Sequence, residues 1–205
     1  VDPDRIDMLE ANQFIIHGDN SHYAGLISFL EANSVETDEN YEYIKRRVDI
    51  QNFINYQVSQ IYFDNQDWPG NNMKYWRPAT PKGRWRWILY DTDFGFGLWD
   101  VNKVYNNTLE FATEPYGPDW PNPPWATFLL RQLLNNQEFR EQFINSFADR
   151  INTSFSSDSV TALVNQLRNN IFEEMDNHAD RWGGSRANWY ARVNEIIEFG
   201  ARRPA

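Results

Sequence analysis

Between Ile50 and Tyr90 the apolar pattern of this chain changes period, and that change fixes what the stretch can fold into. Ile50, Phe53, Ile54, Val58 and Ile61 make one apolar stripe of an amphipathic helix, with Asp49 placed as its N-cap. The helix runs directly into an acidic loop, Asp64-Asn65-Gln66-Asp67-Trp68-Pro69-Gly70-Asn71-Asn72. Then Met73–Arg77, a Pro78–Gly83 turn and the alternating Arg84-Trp85-Arg86-Trp87-Ile88-Leu89 read as a hairpin of period two. Its second strand enters another acidic loop, Asp91-Thr92-Asp93-Phe94-Gly95. If that strand continues, Trp85, Trp87, Leu89 and Asp91 share one face. A buried helix is a rigid mount for a functional loop, so the first loop is held in place from one side.

The remaining chain reads as scaffold. Val1 to Ile16 has no long period; a loose lead-in is expected there, closing on a short buried segment Phe14–Ile16 stopped by Gly18. Ser21 is placed to cap a helix carrying Tyr23, Leu26, Ile27 and Leu30, and Asp38–Arg47 suits another short helix with acids first and bases last. Leu98–Pro124 shows no period and holds Pro115, Pro118, Pro121, Pro123 and Pro124, so it reads as a long loop with a purpose of its own. From Trp125 onward four helical segments are expected. They carry Trp125–Leu133; Phe139, Phe143, Phe147 and Ile151; Val160 to Met175 capped by Ser157 or Asp158; and Trp189 to Ile197, with Gly200 terminating the last. The predicted fold is α+β and predominantly helical, one unit over residues 1–205 with a small β-hairpin set into it.

Composition removes several classes of function. The formal net charge of -10 argues against a nucleic-acid partner, which needs a basic footprint. No run of apolar residues is long enough to span a membrane. With no Cys, and with His17, His22 and His178 scattered, a thiolate or zinc site is not indicated, so any metal would be a hard cation on oxygen ligands.

Phosphoryl transfer needs a carboxylate for the acceptor hydroxyl and oxygen ligands for Mg²⁺ on the phosphates. In protein kinases a catalytic Asp precedes a metal-binding Asn by five positions, and a hairpin then leads to the Asp of D-F-G. Here Asp67 precedes Asn72 by that interval, a hairpin follows, and Asp93-Phe94-Gly95 comes after it with Asp91 just before. Helix, loop, hairpin and acidic loop in that order describe a kinase C-lobe. Asn65-Gln66 stands where His-Arg would precede the catalytic Asp, and there is no glycine-rich phosphate loop. Each residue also has a plainer reading: Asp67 or Asp93 as a turn cap, Asn71 and Asn72 as turn formers, the basic hairpin as a solvated face. A haloacid-dehalogenase-type phosphatase also opens on D-x-D after an apolar strand, but it expects alternating strands and helices rather than the helical run seen here.

Asp49–Ile54, Ile61–Asn72, the Trp76-Arg77 pair and Trp85–Asp93 strongly resemble the CotH family of spore-coat-type atypical protein kinases, and weaker likeness continues through His178–Trp182 to Trp189. The resemblance covers most of the chain from about Phe14. It implies an atypical kinase-like C-lobe that transfers phosphate from ATP, with Mg²⁺ or Mn²⁺, to Ser or Thr hydroxyls of a protein substrate. Carried over by motif, Asp67 is the catalytic Asp and Asn72 a metal ligand. Asp91, by strand register, is the main metal Asp and Asp93 a second, and Trp85 is placed to pack on the adenine. The resemblance also implies that the lysine-bearing, ATP-binding N-terminal lobe lies upstream of this chain, so that the chain alone is expected to bind nucleotide weakly or not at all. A spore-coat, cell-surface or secreted location follows from the same likeness. A non-catalytic adhesion or assembly module of the same family is the alternative.

Overall fold

Helix α3, Ile50–Phe63, lies at the centre of the molecule, and its sequence explains why. Phe53, Ile54, Tyr56, Val58 and Ile61 are buried, and so are Gln57 and Gln60, so its C-terminal half is enclosed on all sides. The Asp49 side chain accepts from the Asn52 amide as predicted and also holds Arg86 at 2.9 Å, tying the start of the helix to the hairpin. The helix ends at Asp64, whose φ of 51° turns the chain into the first acidic loop.

The computed structural model describes residue 2 and residues 4–204. The expected lead-in therefore includes Val1 and Pro3, which lie outside the described residues. The rest of that lead-in is not loose. It forms β1, Ile6–Glu10, and β2, Phe14–His17, which join the predicted hairpin, β3, Lys74–Pro78, and β4, Arg86–Ile88. The result is an antiparallel sheet in the order β2-β1-β3-β4, with Leu9 opposite Tyr75 and Tyr75 opposite Trp87.

β1 is hard to see in sequence because Asp7 occupies a core-facing position. The structure satisfies that carboxylate with Arg77, 70 residues away, at 2.8 Å from Nε. The expected burial of Phe14–Ile16 is reversed: Phe14 is 69% exposed, since β2 is an edge strand with neither face covered. β4 also ends earlier than predicted, so Leu89 is 44% exposed instead of sharing the buried face of Trp85 and Trp87.

Helices α1, Ser21–Ala32, and α2, Asp38–Lys45, pack Tyr23, Leu26, Leu30, Tyr41 and Ile44 into the core beside α3. Ser21 is the first helical residue of α1 rather than its cap, which is Asn20. The 98–124 segment, expected to be all loop, contains a 3-10 turn at Val101–Tyr105 and α4, Thr108–Thr113. The Asn107 side chain caps α4 by accepting from Glu110. Six residues are too few to show a period, which is why this helix escapes pattern reading.

The C-terminal half is helical, as predicted. α5, Phe128–Leu133, and α6, Gln137–Asn152, supply Leu129, Leu130, Leu133, Phe139 and Phe143 to the core. α7, Ser157–Ile171, is capped by Ser156, one residue before the expected cap. A 3-10 turn, Phe172–Glu174, separates it from α8, Met175–Trp182, and α9, Arg186–Arg202, closes the chain. Gly200 does not terminate α9. It is buried inside the helix, and a Cβ there would collide with Val160 Cγ1, so this glycine is what lets α7 and α9 approach. Among the described residues no helix is long and apolar enough to cross a membrane.

Candidate functional site

The first acidic loop is positioned from within the core. Gln60, fully buried near the end of α3, accepts from the Asn65 side-chain amide at 2.9 Å, and Asn65 Oδ1 accepts from the Asp67 backbone N–H at 3.1 Å. Asn65 thus fixes the backbone of Asp67 through a buried amide pair. Trp68, almost wholly buried, anchors the next position. Beyond it the Gly70 N–H donates to the Pro121 carbonyl at 2.6 Å, and a Cβ on Gly70 would meet that same carbonyl at 2.7 Å. The loop and the proline-rich segment therefore touch backbone to backbone. The positioning role of Asn65 and Gln60 was not read from sequence, because α3 carries several amides and nothing local marks Gln60 as the buried one that meets Asn65.

Asp67 Oδ2 accepts from the side-chain amides of Asn72 at 3.1 Å and of Asn71 at 3.2 Å. These bonds leave the Asn72 carbonyl oxygen without a hydrogen bond among the described residues. Asn72, with φ of 51°, turns the chain directly toward β3.

The second acidic loop is pinned to the first. The Gln66 N–H donates to the Phe94 carbonyl at 3.1 Å, and the Phe96 N–H to the Phe63 carbonyl at 2.8 Å. Gly95 lies so close to Phe63 that a Cβ would sit 2.9 Å from its carbonyl oxygen. These contacts dock the loop that bears Asp91 and Asp93 against the loop that bears Asp67. Asp91 also has a positive φ, 51°, and both aspartates are exposed. The Asp91 carboxyl is held above its usual value, first by the hydrogen bond it shares with Asp93, then by desolvation and by the charges of Asp93 and Asp67; Lys74 opposes the shift.

Among the described residues no group of three or more His, Asp or Glu side chains is arranged to hold a metal ion. A pair suffices for some cations. Mg²⁺ is commonly held by one or two carboxylates with substrate phosphates and water completing its shell. Asp91 and Asp93 are two hard-oxygen donors within hydrogen-bond reach, a like-charged pair that a divalent cation would relieve.

Trp85 is not in this group. It is 0% exposed, enclosed by Tyr23 at 5.3 Å and Tyr75 at 5.6 Å between ring centres, and its indole N–H donates to His22 Nδ1 at 2.9 Å. The ring presents no open face in this conformation.

Beside the first loop lies a cavity of about 730 Å³ between Gln66, Phe94 and the 98–124 segment, with Trp99, Phe111 and Trp120 on its walls. Its floor is Asp64, which is buried. Asp64 Oδ1 accepts from the Thr108 hydroxyl at 2.5 Å, and Oδ2 accepts from Asn106 at 3.0 Å and from Gln66 at 2.9 Å. Burial raises the Asp64 pKa, and Thr108, Arg203 and Asn106 act against the rise. Asp64 therefore joins the acidic loop to the segment that follows Gly97. Neither its role nor that of Thr108 was read from sequence, because the partners are 44 residues apart.

A family model described as CotH kinase protein matches residues 10–205, nearly the whole chain. Neither the curated proteins nor the solved structures contain a match.

Proposed function

The chain belongs to the CotH kinase family, and on that premise we propose that it carries the acceptor and metal side of a site that transfers phosphate from ATP to Ser or Thr hydroxyls of a protein. The observation that supports this most directly is the approach of two loops distant in sequence. Asp67, bonded to Asn72, lies on the loop that docks against the loop bearing the exposed Asp91 and Asp93, and both loops hang on buried α3. Asp67 is the base that orients the acceptor hydroxyl and takes its proton as the oxygen bonds to phosphorus and the bond to the leaving diphosphate breaks. The amides of Asn71 and Asn72 hold the Asp67 carboxylate in place for that role. Asp91, with Asp93 and the Asn72 carbonyl oxygen, would hold Mg²⁺ or Mn²⁺. When bound, the metal neutralises charge on the transferred phosphate.

The cavity lined by Phe94, Trp99 and Trp120 is the approach for the protein acceptor, since it opens beside the loop bearing Asp67. Trp85 meets an adenine only if the rings of Tyr23 and Tyr75 move aside. No glycine-rich phosphate loop occurs in the sequence. The 205 residues are accordingly proposed to form one lobe, with a further lobe supplying the other wall of the nucleotide site. A spore-coat, surface or secreted location rests on the family alone.

The second reading, a surface or assembly module without catalysis, is supported by exposed aromatics on the 98–124 segment, among them Trp99, Tyr105 and Tyr116. Incubation with ATP, Mg²⁺ or Mn²⁺ and a serine-containing protein, followed by mass spectrometry, separates the two. Transfer that falls about 100-fold or more in Asp67→Asn supports the kinase reading. Absence of both transfer and nucleotide binding in the full-length protein removes it.

A further inference from the structure

We propose that Lys74 is a second phosphate-contacting cation of this site, supplied by the chain's own sheet in addition to whatever the further lobe brings. The inference rests on the kinase reading above and asks which basic group faces the nucleotide. Five bases lie on or beside the hairpin: Lys74, Arg77, Lys82, Arg84 and Arg86. Arg77 is committed to the buried Asp7 at 2.7 Å, and Arg84 and Arg86 both point to Asp49, at 3.7 and 2.9 Å. Lys82 sits in the turn between the strands, at the end of the hairpin away from both acidic loops.

Lys74 is at the other end. It opens β3 two residues after Asn72, and its register partners are Glu10 on β1 and Ile88 on β4. Sheet alternation puts these three on the face opposite buried Leu9, Tyr75 and Trp87. Its ammonium lies 3.4 Å from Glu10 Oε1 and 4.6 Å from the centre of the Tyr90 ring, and Tyr90 immediately precedes Asp91. The Tyr90 hydroxyl donates to the same Glu10 oxygen at 3.4 Å. Glu10 and Tyr90 thus hold a partly exposed lysine beside the residue that leads into Asp91. A metal triphosphate set between Asp67 and Asp91 needs a cation beyond the metal, and an ammonium on a carboxylate tether is a point charge suited to phosphate oxygens. Trp76 and Met8, in the next row of the same face, extend an apolar surface away from Lys74.

The test is an amide-resonance NMR titration of the protein into the millimolar range with ATP, ADP, AMP and adenosine, each with Mg²⁺. Unaltered protein, Lys74→Met and Lys74→Arg are compared. Affinity should rise with the number of phosphates, and Lys74→Met should weaken ATP on the order of tenfold while leaving adenosine unchanged. Lys74→Arg should retain most of the ATP affinity. Spectra of the free variants report whether the fold is kept. Should Lys74→Met spoil the fold, the dispersed spectrum of Lys74→Arg and its ATP affinity relative to AMP decide the matter, with loss of the phosphate-number dependence counting against the proposal. Equal weakening of ATP and adenosine assigns Lys74 to strand packing and overturns it, as does unchanged ATP affinity. If the full-length protein carrying both lobes binds none of the nucleotides, the kinase reading fails and this inference falls with it. If these 205 residues alone show no phosphate-dependent binding while the full-length protein does, and Lys74→Met leaves that binding unchanged, only the Lys74 proposal is overturned.

Discussion

The guanidinium of Arg203 donates to the Ile61 carbonyl at 2.9 Å, joining positions 142 residues apart. The same group donates to the carbonyls of Tyr62 and Val104 and to the Thr108 hydroxyl, which itself bonds Asp64. One side chain past the end of α9 thus caps the C-terminal turn of α3 and locks the segment after the second acidic loop. Desolvation lowers the Arg203 pKa, and the nearby Asp64 charge opposes the shift.

Arg203→Met removes these bonds and strands several buried carbonyls. It should destabilise the protein by about 2–4 kcal/mol in urea unfolding and speed amide exchange across residues 101–108. Arg203→Lys should recover little, because one ammonium cannot reach carbonyls spread over both elements.

The buried ion pair of Asp7 and Arg77 fixes β1 against β3. Asp7→Ala leaves an unpaired guanidinium against the core and should cost about 3–5 kcal/mol. The double change Asp7→Leu with Arg77→Met should restore much of that, measured as a double-mutant cycle of unfolding free energies.

His22 accepts the indole N–H of Trp85 on Nδ1, a role that only the neutral ring can fill. Burial first, and the charges of Arg77 and Arg47 next, lower its pKa from 6.5 to about 4. The unfolded chain therefore binds this proton more readily, so the His22 contribution to stability is complete above pH 6.5 and is lost as pH falls toward 4. Allowing for solvent screening of a partly exposed ring, the loss is roughly 1–2 kcal/mol. His22→Asn, which keeps an acceptor for Trp85, should flatten the unfolding free energy over that interval relative to the unaltered protein.

Gly200→Ala forces a methyl into Val160 and should destabilise the α7–α9 pair by about 1–3 kcal/mol, seen as a lower Tm. Val160→Ala in the same chain makes room for that methyl, so the combined loss should be smaller than the sum of the two single losses.

Asn65→Ala breaks the link from Gln60 to Asp67 without touching any proposed ligand. On the kinase reading, turnover should fall about 10- to 100-fold while ATP affinity is unchanged, a split that separates positioning from binding. Equal loss of both would assign Asn65 to loop folding alone.

Much of the architecture is legible in the sequence because it rests on local periodicity. The stripe from Ile50 to Ile61 is α3, with Asp49 as its cap, and the alternation around Trp85 and Trp87 is the buried face of the hairpin. The family is legible too, since the Ile61–Asn72 block is long and specific, and the family match runs over residues 10–205. Misreadings occur where a residue answers to a distant partner. Asp7 hides β1 until Arg77 is placed beside it, and Gly200 looks like a helix stop until Val160 lies against it.

The candidate site divides the same way. Sequence determined that Asp67, Asn72, Asp91 and Asp93 lie on two loops flanking a hairpin, because spacing along the chain carries that information. Only the tertiary structure decided that the loops dock through Gln66 on Phe94 and Phe63 on Phe96. It also decided that Trp85 is enclosed by Tyr23 and Tyr75, and that Lys74, paired with Glu10, lies at the end of the hairpin next to the acidic loops while Arg77 and Arg86 are held at Asp7 and Asp49. Periodicity specifies which face of an element is apolar. Which charges are neutralised and which stay available depends on three-dimensional neighbours that no local pattern encodes.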